Sequence, residues 1–175
     1  MRPMLIAALL LAAPGCGVTV ETATPHCSSP ERLAVVAQSV PTAAYLPCLR
    51  TLPQGWSVSG FDVARGSSRM SLLSDRSGGR PVEVTLTRGC DVAGASPTAA
   101  RDAGVRSYVR LRSVSPTYAG TLYDVFAGGC VRFRFAFPRG PHIPLMEELS
   151  TAVGLASRRD LRVDLRRELG VELDP

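Results

Sequence analysis

The chain has 175 residues, the length of one ordinary domain. Its apolar content of 45% excludes wholesale disorder. Its longest apolar run, residues 4–13, is shorter than the ~18 residues of a membrane-spanning helix, which excludes a channel-forming bundle. The 20 basic side chains, all of them arginine, exceed the 15 acidic ones and leave a net charge of +5. The odd count of five cysteines is the second unusual feature.

The N-terminus has the order of an export signal. Arg2 precedes the apolar stretch 4–13, and the small residue Gly15 directly precedes Cys16. These residues resemble the bacterial lipoprotein export signal, whose lipobox ends in a small residue and an invariant cysteine that receives a diacylglyceryl group. The resemblance covers residues 1–16 and implies cleavage after Gly15, with lipid on Cys16.

The export signal and the residues after it predict three parts of the chain. Residues 1–15 are predicted to be a signal peptide, residues 16–29 the lipidated cysteine and a tether, and residues 30–175 a single extracytoplasmic domain. Each buried methylene contributes ~0.8 kcal/mol, so two or more acyl chains, such as a diacylglyceryl group and a palmitate, hold a protein stably on a membrane. Ordinary secretion, with the same cut after the small residues of segment 13–15, is the alternative.

Cysteine parity agrees with export. If Cys16 carries lipid, four cysteines remain, and an even set in an exported chain indicates a disulfide framework. Three connectivities are open, and pairing within each half of the chain is favoured, because closing loops of 22 and 41 residues would contribute ~3 to 4 kcal/mol each. A metal site is disfavoured, since there is no C-x-x-C pair and neither histidine has ligand spacing to the other. The favoured pairs are Cys27–Cys48 and Cys90–Cys130.

The first part of the predicted domain carries helical signals. Ser28 and Glu31 have capping-box spacing, and Pro30 suits the first position of a helix that runs to Pro41. Residues 42–52 are predicted to hold at most one short helix.

From residue 56 to 137 the apolar period changes to two. The clearest run is Val131, Phe133, Phe135 and Phe137, which alternate with polar or small residues as in a half-buried strand. Short glycine-containing joints favour antiparallel neighbours. Residues 90–104 are predicted to be an excursion rather than a strand. The other predicted strands lie near residues 56–63, 70–75, 82–87, 105–112 and 120–126.

The C-terminal part returns to helical spacing. A helix opening at Pro144 is predicted to continue through Val153 and Ala156, and a second begins at Ser157 and ends at Gly170. The order of elements predicts an α+β fold. In this fold an antiparallel sheet of about five to six strands, residues 56–137, has helices from the N- and C-terminal segments packed on one face and is stapled by two disulfides.

The search for catalytic chemistry is negative. The chain has no nucleophile elbow, P-loop, dinucleotide fingerprint or zincin motif. His26 falls in the predicted tether and His142 at a predicted helix start, and neither has a nameable partner. The carboxylates near strand ends are scattered singly: Asp62, Asp75, Asp91 and Asp124. No enzyme, metal or cofactor is predicted, and a cryptic envelope hydrolase is kept only as an alternative.

The arginines offer one candidate site. On the strand interpretation they form a cationic sheet face that is able to meet phospholipid headgroups, wall polyanions or an acidic partner protein. The competing interpretation is a solvated face neutralised by Glu83, Asp124 and the acidic helices. Nucleic acid is disfavoured by the export signal. The arginines concerned are Arg106, Arg110, Arg112, Arg132 and Arg134.

The sequence therefore predicts an exported lipoprotein, anchored by lipid on the outer side of the cell membrane, with a non-enzymatic binding or assembly role at the cell envelope. Its expected partners are the membrane and an envelope protein or anionic envelope polymer. Binding of an anionic ligand or polymer through the arginine face is the second hypothesis.

Overall fold

The computed structural model describes residues 24–79, 82–138 and 142–173, and these residues form three helices and nine strands. The predicted signal peptide and Cys16 lie outside the described residues. In chain order the elements are α1 (Pro30–Ser39), β1 (Tyr45–Leu49), β2 (Trp56–Ala64), β3 (Ser67–Ser74), β4 (Val82–Thr87), β5 (Ser96–Thr98), β6 (Arg106–Ser113), β7 (Tyr118–Phe126), β8 (Gly129–Phe137), α2 (His142–Ala152), β9 (Val153–Ser157) and α3 (Arg158–Leu169).

Seven of the strands form one sheet. Its spatial order is β2-β3-β4-β8-β7-β6-β5, and every neighbouring pair is antiparallel. Glycines with positive φ make the sharp reversals that join neighbours, as Gly66 does between β2 and β3 and Gly128 does between β7 and β8. Because β8 enters between β4 and β7, the last strand of this sheet along the chain lies at its centre. The remaining strands, β1 and β9, pair with each other in a small antiparallel sheet.

One face of the large sheet carries the hydrophobic core. Phe133, Phe135 and Phe137 of β8 are at most 1% exposed, which confirms the period-two prediction for this strand. Burying a large apolar side chain contributes ~1.5–3 kcal/mol, so this face supplies much of the stability. The predicted α+β architecture, with helices from both terminal segments on one sheet face, is confirmed. The helices contribute Leu33 and Val36 of α1, Leu145 and Leu149 of α2, and Leu161 and Leu165 of α3.

The large sheet has more strands than predicted. The segment 90–104, predicted to be an excursion, contributes β5, which pairs with β6 over three residues at the sheet edge. A three-residue strand with a central proline, Pro97, has too little alternation to be detected in a sequence.

The predictions for β1 and β9 were wrong. β1 lies in the segment predicted to hold at most one short helix, and β9 lies where the helix predicted to open at Pro144 was to continue through Val153 and Ala156. Four of the five residues of β1 are buried, so its side chains give a continuous apolar run without a period of two. In β9, Val153 continues the four-residue spacing of the preceding helix, yet the backbone turns to pair with β1, where Cys48 lies opposite Gly154.

The fold begins earlier than the predicted domain boundary at residue 30. Thr24 is fully buried, and His26 forms an isolated bridge with Leu49, so residues 24–29 pack in the fold rather than serve as a tether. The predicted capping box is absent: the N-cap residue of α1 is Ser29, and its side chain makes no capping hydrogen bond.

Both favoured disulfides are present. Cys27 and Cys48, with Cα atoms 5.0 Å apart, link the N-terminal segment to β1. Cys90 and Cys130, with Cα atoms 5.9 Å apart, link the loop after β4 to the start of β8. Each bridge closes a loop within one half of the chain, as predicted.

Candidate functional site

The arginines of the candidate site lie on the face of the large sheet opposite the core, here called the open face. Along β8 the side chains alternate, so Arg132 and Arg134 are exposed while Phe133 is buried. The strand register places Arg110 in the same row as Arg134, with Thr121 between them. Arg132 lies in the next row of this face, and Arg106 lies in the row after that. The structure thus brings together four of the five predicted arginines.

Arg112 is the exception. A register shift falls between Leu111 and Ser113 of β6, where regular alternation breaks. The prediction that Arg106, Arg110 and Arg112 point to one side assumed an uninterrupted strand. A bulge of this kind leaves no signature in the sequence pattern of β6.

Two of the grouped arginines already have internal partners. Arg134 Nη2 lies 2.6 Å from Glu83 Oε2, an ion pair between neighbouring strands that agrees with the predicted neutralisation by Glu83. Arg110 donates hydrogen bonds to the carbonyl oxygens of Asp91 and Ala93, and its guanidinium carbon lies 5.5 Å from the ring centroid of Tyr123. Arg110 therefore holds the loop after β4 against the sheet.

The other two arginines of the group are free in the structure. Arg106 and Arg132 are exposed, and the side chain of neither makes a hydrogen bond or ion pair with any residue in the described ranges. Cationic side chains without internal partners are the ones whose field reaches an external anion. Of the five predicted site residues, Arg106 and Arg132 are thus the strongest candidates for ligand contact.

The sequence interpretation assumed that Asp124 neutralises the arginine face. The structure places Asp124 elsewhere. It lies on the core side of β7, only 2% exposed, where its carboxylate accepts a hydrogen bond of 2.6 Å from Ser107 Oγ. Arg101 Nη1 lies 3.4 Å from its other oxygen. Burial raises the pKa of Asp124 above its usual range, and the Ser107 hydrogen bond and the Arg101 charge oppose that rise.

Two arginines that the sequence analysis did not single out have structural roles. Arg101 donates to the carbonyl oxygens of Ser150 and Val153 at the end of α2, at 2.6 Å each. Arg158 is 7% exposed and donates to three carbonyl oxygens at and beyond the end of α1, and burial lowers its pKa. Its acceptors are Ala37, Val40 and Ala43. The sequence did contain one signal for Arg158. A cation at the start of α3 is unfavourable because it opposes the helix dipole, which indicates that this side chain has partners elsewhere in the fold.

Another group of polar side chains joins α2 to the β2–β3 hairpin. Glu148 Oε2 accepts hydrogen bonds from Trp56 Nε1 at 2.7 Å and from Arg76 Nη2 at 2.5 Å. The Arg76 hydrogen bond lowers the pKa of Glu148, and that of Trp56 adds to it. Asp75 lies on the other side of Arg76, at 3.6 Å. A glycosidase acid needs a raised pKa, so the lowered pKa of Glu148 does not fit that role.

The histidines offer no catalytic arrangement. His142 stacks on Tyr118 with ring centroids 5.3 Å apart, and His26 lines a small cavity beside Trp56. Neither histidine side chain hydrogen-bonds a serine, a cysteine or a carboxylate within residues 24–79, 82–138 and 142–173. The same residues hold no group of three or more potential metal ligands. No helix in the described part of the chain is long and apolar enough to cross a membrane.

The fold and its surface define a mixed α+β protein with two disulfides and an arginine-bearing open sheet face. Comparison of the chain with known proteins finds no matching family model, and no curated protein or solved structure gives a significant match.

Proposed function

We propose that this protein is an exported module, anchored to the cell membrane through lipid on Cys16, with a non-enzymatic binding or assembly role at the cell envelope. The observation that carries the proposal is the division of the cysteines. Four of the five pair in two disulfides, and the fifth follows a short apolar stretch and a small residue.

Two physical arguments support export. Disulfides persist in oxidising compartments and are rare in the reducing cytosol, so a chain stapled twice fits an extracytoplasmic location. The fifth cysteine, Cys16, follows the apolar stretch and is available to accept lipid. Two or more acyl chains hold a protein stably on a membrane.

The test of the anchor is the full-length Cys16→Ser variant, expressed with a clickable fatty-acid analogue in the medium. We expect the variant to lose the lipid label and to leave the washed membrane fraction, while the control Thr19→Ser keeps both properties. Fatty-acid label on Cys16→Ser, at the level of the unaltered chain, would refute the proposed anchor.

A second candidate function is the binding of an anionic ligand or polymer through the open face. It is favoured by the exposure of Arg106 and Arg132 and by their lack of partners among the described residues. Arg134 stands two residues from Arg132 on the same face and is 57% exposed despite its ion pair. Because these arginines share one sheet face, a polymer lying on it would contact several guanidinium groups together.

The test of this function is a double charge reversal, Arg106→Glu with Arg132→Glu, in the full-length chain purified in detergent. Inorganic polyphosphate is the probe, titrated at two salt concentrations. Each basic residue near a charged surface contributes about 1 kcal/mol, so the loss of two should weaken binding by at least about 30-fold. The control is Arg159→Glu with Arg167→Glu, an equal charge change on exposed α3. Equal weakening by both pairs would mean that net charge, and not the open face, binds the polymer.

A further inference from the structure

A groove lies on the helical side of the molecule, remote from the open face. It runs between the start of α1, the β1–β9 pair and the start of α3, and its cavity volume is about 260 Å³. Its apolar lining includes the Cys27–Cys48 disulfide, Leu155 and Leu161. Ligand pockets for drug-sized molecules begin at ~300 Å³, so this groove suits a smaller ligand.

The groove holds opposite charges apart. Arg50 lines it together with Asp160 and Asp164 of α3. Within the described part of the chain Arg50 makes no ion pair, while Asp164 has only a long contact of 3.5 Å with Arg167. Opposite charges that line one groove without pairing leave space in which a molecule of complementary charge fits.

The fold fixes the backbone of Arg50, while its side chain is exposed at the groove. The Arg50 amide donates to the carbonyl oxygen of Ala152 at 2.8 Å. Gly154 lies beneath its side chain: a Cβ there would stand 2.6 Å from Arg50 Nε. Gly154 does not have a positive φ, and the absence of a side chain there leaves room for this contact. The missing side chain lets the guanidinium lie across β9 at the groove.

We propose that this groove binds a small zwitterion with an apolar body. The anionic group of the ligand pairs with Arg50, its ammonium group lies at Asp160 and Asp164, and its apolar part covers the disulfide and the leucines. Amino acids and short peptides with apolar side chains have this chemistry. The proposal depends neither on lipid at Cys16 nor on the open face.

The first experiment uses the unaltered full-length chain, purified in detergent, and isothermal titration calorimetry. L-leucyl-L-alanine is the zwitterionic probe, and its N-acetyl and C-amide derivatives each lack one charge. We expect saturable binding of the dipeptide and binding at least about tenfold weaker for each derivative, since a charge-assisted hydrogen bond is lost. Glycerophosphoethanolamine is a zwitterion without an apolar body, and binding of it as tight as that of the dipeptide would contradict the role of the apolar lining.

The second experiment identifies the site. Arg50→Gln should weaken dipeptide binding by about tenfold or more but leave the affinity for the C-amide derivative unchanged, because that derivative lacks the group that Arg50 binds. Asp160→Asn with Asp164→Asn should weaken dipeptide binding but leave the affinity for the N-acetyl derivative unchanged, because that derivative lacks the ammonium group. Arg132→Gln on the open face is the control. No saturable binding of any probe, or equal affinity of dipeptide and C-amide, would overturn the proposal. Loss of selectivity in the control alone would place the site elsewhere.

Discussion

The two faces of the large sheet differ in what their side chains do. On β8, Phe133 is 1% exposed within the core, while its neighbour Arg132 projects from the open face without a partner among the described residues. The core face therefore determines stability, and the open face is free to serve solubility or binding. One strand carries both tasks because successive side chains of a strand point to opposite faces.

Arginine shows the same contrast. On the helical side, Arg158 and Arg101 are largely enclosed and donate to carbonyl oxygens near helix ends. On the open face, Arg106 and Arg132 are exposed. The arginine surplus is thus partly structural, and a substitution affects stability or binding according to the side of the sheet that it touches.

The largest expected effect is at the core face. Phe133→Ala removes a buried ring and should lower the free energy of unfolding by about 3–5 kcal/mol, whereas Arg132→Ala should change it by no more than about 0.5 kcal/mol. Denaturant unfolding followed by circular dichroism measures both. Similar losses for the two variants would contradict the assignment of the faces.

The disulfides come next. Removing Cys90–Cys130 by paired alanine substitutions should cost about 4 kcal/mol, and removing Cys27–Cys48 about 3 kcal/mol, because the first closes the longer loop. Unfolding midpoints of the two variants without reductant give the order. The reverse order would mean that native packing, and not loop closure, dominates their contributions.

A smaller effect is expected at Arg158. Arg158→Met keeps most of the side-chain volume but leaves three carbonyl oxygens without their donor, which should lower stability by about 2–3 kcal/mol. Its matched control is Arg159→Met, one residue along on the exposed side of α3. If both variants unfold at the same denaturant concentration, the capping role of Arg158 is wrong.

The smallest effect is a pH dependence at Glu148. Its pKa is lower in the folded state than in the unfolded state, so its contribution to stability is present above the usual glutamate range and is lost as the pH falls through the folded value. Glu148→Gln should flatten this acid limb, with a loss below about 1 kcal/mol at neutral pH because the pair is partly exposed. Thermal unfolding between pH 3 and 7 measures it.

Asp124 supplies the comparison of opposite sign. Its folded pKa is raised, so the fold favours the protonated form and loses stability as the pH rises from the usual aspartate range through the raised value. Asp124→Asn should remove that decline. If the two substitutions, Asp124→Asn and Glu148→Gln, changed the pH dependence of stability in the same direction, one of these two pKa shifts would have the wrong direction.

Much of the fold was predictable from side-chain periodicity. The alternation in β8 gave its inward residues, and the spacing of Ser157 and Asp160 marked the start of α3, where Ser157 Oγ accepts a hydrogen bond from the Asp160 amide at 3.4 Å. β1 and β9 were missed because their environment is set by each other. A buried five-residue strand has no polar side to reveal its period.

The candidate site was less predictable. The sequence grouped Arg132 with Arg134 correctly, since both lie on one strand two residues apart. It placed Asp124 with them, although the register puts this carboxylate on the core side beside Ser107. The groove at Arg50 left no signal, because Arg50 directly follows β1 whereas Asp160 and Asp164 belong to α3, more than a hundred residues later in the chain.

By itself, the sequence determined the fold class, the two disulfide pairs as the favoured connectivity and the inward face of the central strand. These depend on local periodicity and on cysteine spacing, which are written along the chain. Only the tertiary structure decided which arginines are enclosed, which are free, and which charges face each other across a groove. Those properties depend on strand register and on contacts between distant segments, and a shift of one residue in register would have exchanged the two faces.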